Sequence, residues 1–316
     1  MTAPMAAGAL IHPPAAPMAR AQTGTVYPWQ CDQWGHMNVQ YYAQFFGEAV
    51  AHALNAAGCG PSRLQALQAA AFPRRQRVWY RREFRLGDVV LTDAAALPGR
   101  PGQPGTVTIL ARMREAIAGQ PATDTVIDLG LDAAEGFAAR DWPADALPGL
   151  ADPAALPAEL AGAGLLEPWP AELPAQAHPR MRESLRGVIN TWDCDHHGGA
   201  TTRSYFGAFS DAALGLMTAL GLDPKDLLAA GLSSAALEYR VIYDRRLRAG
   251  DAYVMHTGLA ESGRKAWRFV HVMADAATGE TVARADVVGV YIDAAARRAV
   301  PLPDWVKART DPIRID

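Results

Sequence analysis

The feature that most constrains this chain is a repeat. Shifting the sequence by 163 positions lays residues 26–88 on 189–251 without a gap, and 19 of the 63 positions agree. Trp29, Cys31, Asp32, Gly35, Tyr42, Phe46 and Ala49 fall on Trp192, Cys194, Asp195, Gly198, Tyr205, Phe209 and Ala212. Further on, Arg77, Val78, Tyr80, Arg82, Arg85, Gly87 and Asp88 meet Arg240, Val241, Tyr243, Arg245, Arg248, Gly250 and Asp251. Alanine-rich helices resemble one another by composition, but that does not reproduce tryptophan, cysteine and Gly-Asp matches in register. The chain therefore reads as two copies of one unit, and any fold must hold that unit twice.

Each copy has the same grammar. Val26–Gln30 is expected as a short strand, followed by a polar turn with Asp32 and Gly35. From Asn38, a plausible N-cap, a helix runs through about residue 57 with apolar residues on most faces, so it is buried. Gly58, Gly60 and Pro61 end it. A short helix over 62–71 and strands at 75–86, 88–95, 105–117 and 123–131 follow, separated by Gly and Pro turn signals and able to pair as a meander. The second copy gives 187–192 as a strand, helices at 202–220 and 224–230, and strands near 235–248, 251–260, 265–275 and 281–293. One long apolar helix followed by an antiparallel sheet is an α+β unit with the sheet wrapped round the helix. A single unit leaves a sheet edge unpaired, whereas two units can join edges into one sheet. The expected divisions are an N-terminal arm over 1–22, a first unit over 23–138, a Pro/Ala-rich linker over 139–183 pinned by Trp142, Leu166 and Trp169, a second unit over 184–300 and a tail over 301–316.

Composition narrows the function. The 316 residues carry a net charge of −3, which does not favour a nucleic-acid binder. No run of eighteen apolar residues marks a membrane span, and the N-terminus lacks the apolar core of a secretory signal. Three cysteines are too few for a disulfide framework, so a cytoplasmic setting is expected. Cys31 and Cys194 read as small buried residues. Cys194, Asp195, His196 and His197 superficially look like a metal cluster, but adjacent residues do not easily converge on one ion. No metal or organic cofactor is expected.

An acid just ahead of a helix start sits beside unpaired N–H groups and the positive end of the helix dipole. That pairs a base or nucleophile with a place for negative charge. The residues Asp32, Gly35, His36, Asn38 and Tyr42, in the order strand, Asp-x-x-Gly-His-x-Asn, helix, resemble the hotdog-fold acyl-CoA thioesterases of the 4-hydroxybenzoyl-CoA thioesterase type. The resemblance covers most of 24–132 and 185–293, as a double hotdog. It implies an intrachain pseudo-dimer that hydrolyses an acyl-CoA without a cofactor. Asp32 would be nucleophile or general base, and the Val39 backbone amide the oxyanion donor. Gly35, His36 and Asn38 would complete the motif, His36 as proton shuttle, orienter or structural residue, Asn38 foremost as a cap.

Trp34, Met37, Tyr41, Tyr42 and Phe45 are candidates for an acyl pocket, with core packing as the competing reading. The second copy keeps Asp195 and Gly198 but has Gly199 and Thr201 where the first has His36 and Asn38, so one principal site at Asp32 and a secondary one at Asp195 are expected. The site should be completed by the partner half. Arg74, Arg75, Arg77, Arg81, Arg82 and Arg85, with Arg240, Arg245, Arg246 and Arg248, read first as a solvated strand face and second as contacts for CoA phosphates. Other readings of the same fold are an enoyl- or hydroxyacyl-CoA hydratase-dehydratase and a non-catalytic acyl-CoA binder. A homodimer of the double unit is also conceivable.

Overall fold

The computed structural model describes residues 12–161, 166 and 173–315. The first unit comprises β1 (Ala19–Thr25), α1 (Val39–Ala56), α2 (Pro61–Ala66), β2 (Ala69–Tyr80), β3 (Val89–Pro98), β4 (Thr106–Glu115), β5 (Pro121–Ala133) and the short β6 (Ala139–Arg140). The crossing segment carries α3 (Ala158–Ala161). The second unit comprises β7 (Arg182–Val188), α4 (Thr202–Ala219), α5 (Pro224–Ala229), β8 (Leu232–Tyr243), β9 (Ala252–Ser262), β10 (Ala266–Asp275), β11 (Thr281–Asp293), β12 (Arg298–Val300) and α6 (Asp304–Thr310).

The strands form one sheet in the order β1-β3-β4-β5-β2-β8-β11-β10-β9-β7, with β6 and β12 on β5 and β11. The expected joining of edges is the pairing of β2 with β8, where Arg75–Trp79 run antiparallel to Ile242–Glu238. Arg77 Nε donates to Glu238 Oε1 at 2.5 Å, and Tyr243 Oη donates to Gln76 Oε1 at 3.0 Å. These polar bonds tie the seam while the apolar faces stay on the helices. Tyr42, Phe45, Phe46, Ala49 and Leu54 of α1, and Tyr205, Phe206, Phe209 and Ala212 of α4, are buried in one cluster spanning both units. Each large side chain among them contributes about 1.5–3 kcal/mol by leaving water. The units also repeat their bonds: Tyr42 Oη accepts from Phe84 N at 3.0 Å and Tyr205 Oη from Leu247 N at 2.9 Å.

Several boundaries differ from expectation. The stretch 26–30 is not a strand; Pro28–Gln30 is a 3-10 turn with Pro28 in its first position, where the missing N–H is harmless. The strand lies earlier, at Ala19–Thr25 paired with β3, so residues 19–22, expected in the N-terminal arm, belong to the sheet. Likewise β7 ends at Val188 and Thr191–Asp193 is a 3-10 turn. The short helix stops at Ala66, and Gln68 adopts a left-handed φ of 49°. The alanines after it join β2 because their backbones pair with β5 from Ala69↔Ala133 onward. Pro73 is tolerated there because β8 pairs with β2 only from Arg75, leaving the proline on an unpaired side beside a bulge.

The four strands are not a simple meander: β3, β4 and β5 are, but β2 returns to the far side of β5. β2 also ends at Tyr80 rather than 86. Arg81 N and Arg82 N both donate to Ala122 O, and 81–86 turns back onto the Asp32 loop. The crossing segment covers the outer face of the first sheet, with Leu156 and Leu160 packed on Met18, Leu97, Leu110 and Val126, and Leu166 against them. Trp142 Nε1 donates to Leu129 O at 3.3 Å; Trp169 lies outside the described residues. The tail forms α6, which closes over the second unit through Leu302 and Val306. No described helix is long and apolar enough to cross a membrane.

Candidate active site

The Asp32 loop is a tight turn held by its own backbone. Asp32 N donates to His36 O at 2.9 Å and Gly35 N to Asp32 O at 3.0 Å. Gly35 takes a φ of 79° that side chains resist. Met37 N then donates to Phe84 O at 2.8 Å, fixing the loop to the 81–86 segment. Asn38 caps α1: its Oδ1 accepts from Gln40 N at 3.1 Å, and its Nδ2 donates to Ser210 Oγ on α4 at 3.0 Å. The expected cap is thus also a bond between the units. Among the described residues, the Val39 N–H has no hydrogen-bond partner.

Within this frame Asp32 Oδ1 accepts from Trp34 N at 2.9 Å, and Oδ2 lies 3.2 Å from His36 Nδ1. On the other side of the ring, His36 Nε2 faces Glu83 Oε1 at 3.6 Å. Arg297, at the tip of the β11–β12 hairpin and in a left-handed conformation, grips Glu83 Oε2, and Arg85 approaches the same oxygen at 3.6 Å. Burial pushes the Asp32 carboxyl up to about 6, against the N–H donors around it. Burial, then the guanidiniums of Arg297 and Arg85, push His36 down to about 4. Near neutral pH the carboxylate therefore only accepts and the imidazole is neutral; a proton on Nδ1 would face Asp32. That tautomer leaves the Nε2 lone pair facing a carboxylate oxygen. Two acceptors do not bond, which accounts for the 3.6 Å gap and for both atoms lacking a partner.

Asp32, Trp34, His36, Met37, Asn38 and Val39 line one end of a cavity whose body belongs to the other unit. Its walls are Leu214 and Met217 of α4 with Leu220 just past its end, Ala235 and Tyr239 of β8, Trp267, Phe269 and His271 of β10, Val287 and Tyr291 of β11, and Leu302 and Val306 around α6. Of the five pocket residues expected, only Trp34 and Met37 lie there. Tyr42 and Phe45 are in the core, because their face of α1 turns to its own sheet. Tyr41 donates to Trp29 O and lies under Arg203, 5.2 Å from its ring centre. Residues of the other unit line the body of this cavity, as the expected completion by the partner half requires.

The second copy builds the mirror arrangement. Asp195, Thr201 and Thr202 open onto a groove walled by Ala51, Leu54, Leu64, Phe72, Ile127 and Leu129 of the first unit. Its carboxylate is not free: Arg246 Nη2 donates to Asp195 Oδ2 at 2.6 Å. Burial alone would raise this carboxyl, but the Arg246 guanidinium outweighs it and holds Asp195 below the usual range. Arg246 is the counterpart of Glu83, 163 positions on, and it fills the space His36 occupies in the first copy. A Cβ on Gly199 would stand 2.5 Å from Arg246 Nε. Where Arg297 grips Glu83, Phe137 stacks on Arg246, 4.7 Å from ring centre to Cζ.

Glu83 and Arg297 were not anticipated as site residues, and Arg246 was expected on a solvated face or at CoA phosphates rather than on Asp195. The arginine run divides: Arg81, Arg82, Arg85 and Arg248 are exposed, as its first reading has it, whereas Arg74 pairs with Asp132 on the neighbouring strand, Arg240 with Glu238 on its own strand and Arg245 with Asp275.

The sequence model of the Thioesterase-like superfamily matches residues 26–109 and 189–310. The chain belongs to that superfamily, as two hotdog units in one polypeptide. It is 29% identical over 125 residues to a protein of Rhizobium meliloti (strain 1021), L-carnitine dehydrogenase/betainyl-CoA thioesterase; the match spans 40% of this chain and 25% of that one. Its fold is similar to that of a putative oleoyl thioesterase from Lactobacillus plantarum (TM-score 0.63, 12% identity, 91% of this chain and 99% of that one). It is also similar to that of the 12:0-ACP thioesterase from Umbellularia californica (TM-score 0.62, 14% identity, 85% and 92%).

Proposed function

We propose that the Asp32 site hydrolyses the thioester of an acyl-CoA to a carboxylic acid and free CoA. The observation that carries this reading is the meeting in one cavity of the Asp32 carboxylate, the unpaired Val39 amide and an apolar channel. The acyl chain lies under α4 with its carbonyl oxygen at the start of α1. Attack on the carbonyl carbon puts negative charge on that oxygen, where a fixed N–H donor is worth a few kcal/mol. Asp32 either attacks directly, forming an anhydride that water then opens, or takes a proton from the water that attacks. In both routes the C–S bond breaks and the thiolate departs with the electron pair. A thiolate leaves readily, so no strong acid is needed. His36 faces Asp32 with Nδ1, and Glu83, gripped by Arg297, stands against the other edge of the ring without bonding to it.

The relative named as a betainyl-CoA thioesterase supports a CoA thioester as the substrate class. We further read the two units as products of a duplication, and place the enzyme in the cytoplasm, where its three free cysteines stay reduced. The test is thiol release from a panel of acyl-CoAs. Release that disappears in Asp32→Asn is the expected result; no release across the panel, or full activity in that variant, overturns the proposal. Labelled water in a single turnover then separates the two routes, because only the anhydride route leaves the label in Asp32.

A further inference from the structure

The Asp195 end of the molecule keeps a groove and loses a base, and what replaces the base is a set of donors. α4 is 18 residues long, and its N-cap Thr201 makes no side-chain bond to it. The Thr202 and Arg203 amides have no partner among the described residues, whereas in α1 Asn38 satisfies Gln40 and leaves Val39 alone. Arg246 lines the same groove, is only 7% exposed, and spends Nε on Ala200 O and Nη2 on Asp195 and Gly199 O. Its Nη1 is buried without a partner. The two acids lining the groove are both engaged, Asp195 by Arg246 and Glu48 by Gln44 Nε2 at 3.1 Å. His196 and His197 meet at the same rim with ring centres 3.9 Å apart and planes tilted by 42°, and Arg203 crosses it from Tyr41. One free amide suits a charge that appears transiently. Two free amides and a guanidinium N–H suit one that stays.

We propose that the second groove is a non-catalytic binding site for an aliphatic carboxylate. The chain lies along Leu54, Phe72 and Leu129, and the carboxylate sits between the start of α4 and Arg246. This goes beyond hydrolysis at Asp32 and does not depend on it, since the readout is binding of a free acid.

The experiment is calorimetric titration of the full chain with decanoate, with methyl decanoate as the uncharged control. Thr201→Asp places an acid where it accepts from the Arg203 amide and sets a negative charge at the rim. Such a cap supports the helix, so the variant folds. Leu214→Trp fills the Asp32 cavity instead. The expected result is binding that survives Leu214→Trp and Asp32→Asn, weakens at least tenfold in Thr201→Asp, and is at least tenfold weaker for the ester. Binding abolished by Leu214→Trp but untouched by Thr201→Asp assigns decanoate to the first cavity and overturns the proposal. Equal affinity for acid and ester, or no binding at all, overturns it too. Loss of thioester hydrolysis in Asp32→Asn with decanoate binding intact separates this proposal from the hydrolytic one.

Discussion

The two loops that begin at Asp32 and Asp195 have the same backbone and opposite electrostatics. In both, the aspartate N–H donates to the carbonyl four residues on at 2.9 Å, and a glycine with positive φ closes the turn. What differs is the next layer. Three positions change together: His36 becomes Gly199, Glu83 becomes Arg246, and the hairpin tip that presses on this residue is Arg297 in one case and Phe137 in the other. The first set leaves the buried carboxylate beside a neutral ring, with no guanidinium bonded to it among the described residues, and burial raises its basicity. The second neutralises the carboxylate with a guanidinium held between aromatic faces. A loop that carries an acid is therefore not by itself a catalytic site; the residues that set its proton affinity decide.

The largest test of this contrast is turnover. Asp32→Asn should lower thiol release by about 10²–10⁴-fold, the usual scale for a positioned acid–base group. Asp195→Asn should leave it within about twofold. Equal losses in both variants would mean that the second site contributes to catalysis and that the Arg246 pair does not silence it.

A smaller effect is expected one shell out. Glu83 touches no substrate, so it is a positioning residue. Glu83→Ala should cost about tenfold in kcat, on the scale of lost outer-shell partners. The pH profile distinguishes positioning from simple damage. With Asp32 raised to about 6 and active as carboxylate, kcat/KM should fall tenfold per pH unit below about 6. Removing the Glu83 anion should move that limb to lower pH. Glu83→Gln, neutral but able to donate to His36 Nε2, should recover most of kcat while keeping the displaced limb. An unmoved limb in both variants would detach Glu83 from the pair.

Much of this was legible in the chain. The repeat predicted two helix-in-sheet units sharing an edge, and the β2–β8 pairing is that edge. Asp32, His36 and Asn38 were readable because they lie within seven residues, on one loop whose turn and cap chemistry is local. The strand Ala19–Thr25 was not, since its Arg-Ala-Gln-Thr-Gly sequence has no apolar alternation and gains its structure only from β3. The cavity wall was not, because it is contributed by residues about 180 to 270 positions away. Glu83 left one trace: it is the acid within an arginine run and aligns with Arg246 in the second copy, a charge reversal at the same register as the loss of His36. Arg297 left none, since only the hairpin's path brings it to Glu83.

The smallest effects, on stability, should have opposite signs in the two copies. For Asp195 the folded-state carboxyl is held below its unfolded value, so ionisation stabilises the fold above pH 4 and that contribution is lost on acidification. Asp195→Asn also leaves a guanidinium that is 4% exposed without its ion pair. The cost should be about 2–3 kcal/mol at pH 7, discounted from fully buried pairs because the Asp195 side chain is 25% exposed. For Asp32 the folded value lies above 3.8, at about 6, so the folded state resists losing the proton. The penalty is absent below pH 4, grows between 4 and 6, and is complete above 6. Asp32→Asn removes it, since the amide still accepts from Trp34 N–H. The gain should be about 1–2 kcal/mol at pH 8, under the roughly 3 kcal/mol of the full shift because the loop relaxes. It should vanish at pH 3.5. Urea unfolding of both variants at the two pH values checks this. A destabilised Asp32→Asn at pH 8 would mean that the carboxylate is structurally welcome where it stands, and the physical distinction between the two copies would fail at its root.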